Sequence, residues 1–134
     1  MRIIVLQGPH DSGKTATLNI LFYDILASGG IFLPRTPLGG DPNDFSTEGN
    51  FLGQRIAIYT MGDLSSPVRT AVYDYASKGI DILICALSTN SSMSWANSAI
   101  NHFTNVRHPK TFSTLLTNRA SINRADASIL FSLI

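Results

Sequence analysis

Apolar residues in this chain fall into short continuous runs that alternate with segments of helical spacing. Residues 2–7 hold Ile3-Ile4-Val5-Leu6, a run rich in β-branched side chains that predicts a buried strand. Residues 14–28 then carry Leu18, Leu21, Phe22, Ile25 and Leu26 at helical spacing, and Gly29-Gly30 stops the helix. Ile31-Phe32-Leu33 predicts a short strand. Beyond it Pro34, Pro37, Gly39-Gly40 and Pro42 break any longer element, so residues 34–50 are expected to form a loop. Asn50 to Arg55 reads as a hairpin turn into a strand over Ile56-Ala57-Ile58-Tyr59-Thr60-Met61.

The same alternation continues downstream. Ser65-Ser66-Pro67 has the cap-then-proline chemistry that starts helices, and Val68, Ala71, Val72, Tyr75 and Ala76 give that helix an apolar face, closed by Gly79. Residues 80–87 are apolar almost throughout and predict a central strand covered on both faces. After the polar stretch Ser88 to Ser92, Met93, Trp95, Ala96, Ala99, Ile100 and Phe103 predict a helix over about 93–105. Lys110 to Thr117 is expected to be the last strand and residues 120–134 a terminal helix. The βαβαβα order predicts a single α/β domain over residues 1–134. It would be a layer sandwich with a mostly parallel sheet, helices on both faces and a ligand crevice at the strand carboxyl ends.

Composition narrows the candidate partners. Only 14% of residues are charged and the net charge is +1, which supplies neither a nucleic-acid footprint nor a polybasic membrane patch. No nucleic-acid or membrane partner is therefore expected. The one cysteine, Cys85, allows no internal disulfide and sits in an apolar run, where it reads as a small buried hydrophobe. No apolar run reaches the roughly 20 residues of a membrane span, and Met1-Arg2-Ile3 begins a strand without a signal-peptide layout. The expected location is cytoplasmic.

Between the first strand and first helix lies Gly8-Pro9-His10-Asp11-Ser12-Gly13-Lys14-Thr15, which matches GxxxxGK[ST]. Glycines let such a segment curl so that successive N–H groups face phosphate oxygens, while a lysine adds a mobile charge and a hydroxyl meets a metal ion. Through this motif and its strand-loop-helix setting, the chain resembles the P-loop NTPase superfamily. The resemblance implies a nucleoside triphosphate, taken as ATP, with Mg²⁺. The main chain from Gly8 through Pro9, His10, Asp11, Ser12 and Gly13 would wrap the phosphates, and the binding segment would run on through Lys14 and Thr15 to Ala16. Lys14 would reach the β- and γ-phosphates and Thr15 would ligate the metal.

The resemblance also implies an acid at the end of a neighbouring strand. Asp63, after the strand at 56–61, is the candidate metal ligand and, with Lys14, the candidate catalytic group; the alternative is a cap on the helix at residue 66. Asp81 begins its strand and lies at the wrong end of the sheet. Asp11 reads as a loop-bonding side chain, His10 as exposed, and His102 and His108 lack metal-ligand spacing. Small GTPases share the first motif, but Asp63-Leu64-Ser65-Ser66 lacks the glycine of DxxG, and Leu116-Thr117-Asn118-Arg119-Ala120 lacks the lysine and aspartate of [NT]KxD. Small-molecule kinases carry an arginine-bearing lid, for which Arg69 is an open candidate, while Arg107 and Lys110 read as solvated surface charges. The hydroxyl-rich segment 88–92 reads either as an anion contact or as capping.

Two functions fit these readings. One is NTP hydrolysis or phosphoryl transfer to an unidentified acceptor. The other is a nucleotide-responsive module that binds a protein partner, with loop 34–50 changing order. An inactive descendant that binds only phosphate or sulfate is a third.

Overall fold

A computed structural model describes residues 1–134. In chain order the elements are β1 (Arg2–Gly8), α1 (Lys14–Ala27), β2 (Ile31–Phe32), β3 (Thr36–Pro37), β4 (Phe45–Phe51) and β5 (Gln54–Tyr59). There follow α2 (Ser65–Ser77), β6 (Ile82–Ser88), α3 (Ser94–Asn101), β7 (Thr104–Pro109) and α4 (Leu116–Ser132). The strands join in one seven-stranded mixed sheet of order β2-β4-β5-β6-β1-β7, with β3 added against β4. β5, β6, β1 and β7 are parallel, and β4 runs antiparallel beside β5.

The unbroken apolar character of β1 and β6 follows from their central position. Ile3 and Val5 enter one core with Ala57, Leu83, Cys85 and residues of α2 and α3. Ile4 and Leu6 enter a second core with Ile58, Ile84 and residues of α1 and α4. Each strand is thus covered on both faces. Full burial of such an isoleucine or leucine contributes about 1.5–3 kcal/mol, so these two strands anchor the sheet. Cys85 lies in the first core, where burial pushes its thiol up to about 12.

Five boundaries differ from expectation. Residues 34–50 are not a continuous loop, because Phe45–Phe51 form β4 and Thr36–Pro37 pair beside it. The polar alternation of Phe45-Ser46-Thr47-Glu48 hid this strand, whose Phe45, Thr47 and Phe51 point inward. The expected hairpin does follow, with Leu52 and Gly53 both at positive φ between paired Phe51 and Gln54. The last strand is Thr104–Pro109 rather than Lys110 to Thr117. As an edge strand bonded only to β1, it needs little apolar surface, and the chain then releases Phe112, Leu115 and Leu116 to solvent.

The remaining three differences concern helices. α3 ends at Asn101, and Trp95 points outward rather than into the core. α2 begins at Ser65 with Leu64 as its N-cap and no side-chain cap; the Ser65 hydroxyl instead accepts the Ala96 N–H of α3 at 3.0 Å. α4 starts earlier than the apolar pattern suggested and buries Asp126, Ala127 and Leu130.

Candidate functional site

The loop from Gly8 to Gly13 leaves β1 at its carboxyl end and enters α1 through Gly13, whose φ of 95° is left-handed. That conformation favours glycine, and a Cβ there would also lie 2.8 Å from Asn123 Oδ1 of α4, whose side chain would have to shift. The backbone N–H groups from His10 through Ala16 donate to no acceptor in the protein; the first helical bond is Thr17 N–H to Gly13 O at 3.0 Å. A helix normally leaves its first N–H groups unpaired. Here His10, Asp11 and Ser12 extend that set of free donors into the loop. Ser12 adds a buried hydroxyl with no partner.

Lys14 is not solvent-facing. Its side chain is 7% exposed, and Nζ donates to the carbonyls of Gly8 at 3.0 Å and Pro9 at 2.7 Å. Burial lowers its pKa below the ordinary lysine value, against the opposing pull of Asp63, Asp11 and Asp44. The ammonium is therefore held back on the loop, close to three carboxylates.

Asp63 reaches this lysine although β6 lies between β5 and β1. After β5 the chain crosses the carboxyl end of β6, where the Ser88 N–H donates to Gly62 O at 2.9 Å. A Cβ on Gly62 would sit 2.4 Å from the Ala86 carbonyl oxygen, so only glycine permits the crossing. Asp63 does not cap α2. Its Oδ2 lies 3.1 Å from His10 Nδ1, and its Oδ1 lies 3.9 Å from Lys14 Nζ, shielded from solvent and without a hydrogen bond. His10 is exposed and bridges two acids, with Nε2 3.4 Å from Asp11 Oδ2.

A second acid, missed from the sequence, lies on the other side of Thr15. Asp44 Oδ1 accepts from both Thr15 Oγ1 and Thr60 Oγ1, at 2.8 Å each. Asn19 of α1 reinforces the junction by donating to Asn43 O, while Arg35 donates to Asn19 and lies over the Phe45 ring. The only sequence signal was the break that Thr60 makes in an apolar strand, and its partner sixteen residues upstream carried none.

These groups line one cleft of about 1070 Å³. Residues 10–16 meet segment 39–44 on one side, residues 60–64 on another, and Arg119, Ala120 and Asn123 of α4 opposite. Its carboxylates are Asp11, Asp41, Asp44 and Asp63; its cations are Lys14 and Arg119. No three His, Cys, Asp or Glu side chains gather as a metal cage. The available donors are hard oxygens: the Thr15 hydroxyl, Asp44, and the unpaired Oδ1 of Asp63. That set fits Mg²⁺, which binds through one or two carboxylates with water and phosphate completing its shell.

Other sequence candidates lie elsewhere. Lys110 is no surface charge: its side chain is fully buried and pairs with Asp126 at 2.9 Å. Asp126 also accepts from Thr111 N–H and Oγ1 and bonds His108 Nε2 at 2.9 Å. Arg107 is likewise engaged, with Asn97, Asn101 and Gln7. Arg69 lies over the Tyr73 ring. Asp81 accepts the Arg55 N–H at the opposite end of the sheet. The 88–92 hydroxyls serve local turns, Asn90 N–H donating to Ser88 Oγ and Ser92 N–H to Asn90 Oδ1, and none lines the cleft.

Comparison with protein-family models, curated proteins and solved structures finds no match for this chain. No helix is long and apolar enough to cross a membrane.

Proposed function

We propose that this protein binds a nucleoside triphosphate, ATP in the first instance, together with Mg²⁺, and hydrolyses it or passes its γ-phosphoryl group to an acceptor. The observation that carries this reading is the set of free N–H groups from His10 to Ala16, in a cleft with Lys14 and beside Thr15. Oriented main-chain donors at a helix N-terminus favour anions, and the GxxxxGK[ST] spacing is the one that suits a polyphosphate. In this reading the arrangement is a three-layer sandwich with a phosphate-binding loop after its first strand.

Lys14 Nζ would exchange the neutral Gly8 and Pro9 carbonyls for charged phosphate oxygens. Thr15, Asp63 and Asp44 would hold the metal, which supplies charge neutralisation at the phosphates. Asp63 would take the metal-ligand role that the resemblance implies, and His10 would orient its carboxylate from the solvent side. Phosphoryl transfer depends mainly on positioning and electrostatics, which these groups provide.

The test is a calorimetric screen of ATP, GTP, other NTPs and NDPs with and without Mg²⁺, followed by phosphate release. Mg-dependent binding with release supports turnover, and absence of binding by every nucleotide overturns the reading. A nucleotide-responsive module without significant turnover is favoured by one separate observation. Asp44 ties segment 39–44 directly to Thr15, so a ligand at Thr15 acts on that segment. Binding without release would select this second reading.

A further inference from the structure

We infer that α4 supplies the second phosphate-contacting wall of the cleft, with Arg119 reaching the outer phosphate oxygens and Asn123 the oxygens nearest Gly13. The inference rests on the polyphosphate reading of the site and adds residues that neither the loop motif nor the strand-end acid indicates.

Charge balance provides the first argument. Four carboxylates and two cations line the cleft, an excess of negative charge that one Mg²⁺ only neutralises, so a polyphosphate entering it meets no surplus of positive charge. Lys14 is one cation and is committed to the loop. Arg119 is the other. The remaining basic side chains near the carboxyl end of the sheet are engaged elsewhere: Arg35 on Asn19 and the Phe45 ring, Arg107 on asparagines of α3, and Lys110 on Asp126.

Free donors provide the second. Arg119 makes one weak hydrogen bond, Nε–H to Ser113 O at 3.5 Å, with its guanidinium 5.9 Å from the Phe112 ring centre. Both terminal amino groups are left unpaired, the fork that suits two phosphate oxygens. One turn further along α4, the Asn123 amide lies over Gly13, within 2.8 to 3.3 Å of where a Cβ would stand. That amide makes no hydrogen bond in the protein and lies beside Gly13, in the middle of the free N–H set.

The wall is also firmly mounted. Asp126, 1% exposed and three residues beyond Asn123, fixes α4 to the end of β7 through Lys110 and His108. Lys110 in turn packs against Gly8, where a Cβ would meet Lys110 Cβ at 2.7 Å. Loop and helix wall are thereby linked through the buried Lys110–Asp126 pair.

The test measures affinity for Mg-ATP, Mg-GTP and inorganic tripolyphosphate in wild type, Arg119→Ala, Arg119→Lys, Asn123→Ala and, as a control, Arg69→Ala. Arg119→Ala is expected to weaken nucleotides and tripolyphosphate alike by about tenfold or more, the size of a lost charge-assisted hydrogen bond. Lysine restores part of it, Asn123→Ala costs less, and Arg69→Ala is silent. Apo melting temperatures of all four variants stay at the wild-type value. Wild-type binding that Arg119→Ala leaves within about twofold overturns this inference alone. Weakening confined to nucleotides also overturns it, by placing the nucleoside rather than the phosphates against α4. Failure of wild type to bind any of the three probes overturns the inference together with the function it rests on.

Discussion

The hydroxyl of Thr15 and the carboxylate of Asp44 are joined by a 2.8 Å hydrogen bond that spans the candidate metal position and the loop wall above it. Because the same Asp44 oxygen also accepts from Thr60, one carboxylate links the start of α1, the end of β5 and the segment before β4. A hydroxyl that donates here keeps lone pairs for a cation. A metal ion held at Thr15, as proposed, would thus be coupled to the position of segment 39–44 through one atom.

That coupling sets an exchange pattern. Residues 38–44 are mostly exposed, include Gly39 and Gly40 at positive φ with nothing packed around them, and are expected to exchange amide hydrogens fastest in the apo protein. Residues 45–51 are paired in β4 and are expected to exchange slowly throughout. Hydrogen exchange with and without Mg-NTP checks both, protection gained at 38–44 being the expected response. Slow apo exchange across 38–44 would remove the switch.

Asp63→Asn is expected to raise the Mg²⁺ concentration needed for nucleotide binding by about tenfold while changing metal-free affinity little, since asparagine keeps the shape but not the charge. A Mg²⁺ titration followed by calorimetry reads it. Asp63 caps no helix, so a stability loss is not expected to obscure the result.

Lys14→Ala is expected to abolish stabilisation by Mg-NTP in a thermal shift assay. Its pH dependence carries a sign. The folded pKa lies below the ordinary 10.5, chiefly through burial, so the unfolded chain binds more protons between the two values and apo stability rises with pH across that interval. Lys14→Met removes this slope. Wild-type and variant melting curves of equal slope from neutral pH to 10.5 would contradict the buried ammonium.

Acid pH is expected to act on Asp126. Burial alone would raise its pKa, but hydrogen bonds from His108, Lys110 and Thr111 outweigh it and leave the carboxyl below its ordinary 3.8. The stabilisation is present above that value and is lost as pH falls through the lowered one. Asp126→Ala is expected to cost about 3–5 kcal/mol at neutral pH by stranding the buried Lys110 ammonium, and to flatten the acid limb of the stability curve. Denaturant titrations at pH 7 and pH 3 measure both.

The phosphate-loop candidate was legible because its chemistry is local: Gly8 to Thr15 are contiguous, and flanking apolar runs mark the strand and helix. The two central strands were legible for the same reason, since burial on both faces writes a continuous apolar run. Asp44 was not, because its partners Thr15 and Thr60 are brought to it only by the β4–β5 hairpin, and β4 alternates polar residues. Lys110 and Asp126 were not, because a buried ion pair has the same letters as two surface charges. Arg119 and Asn123 fell in a stretch with almost no periodic apolar face, where neither side of α4 could be assigned to the cleft.

Gly62 against the Ala86 carbonyl has a consequence for assembly of the sheet. Asp63 and the loop at residues 8–15 belong to strands that never touch, and they become neighbours only once β6 has been laid between β5 and β1. The cleft therefore does not exist on any partial sheet lacking β6. A ligand that fills it binds only chains whose central sheet is complete, and so draws the equilibrium away from partly assembled sheets.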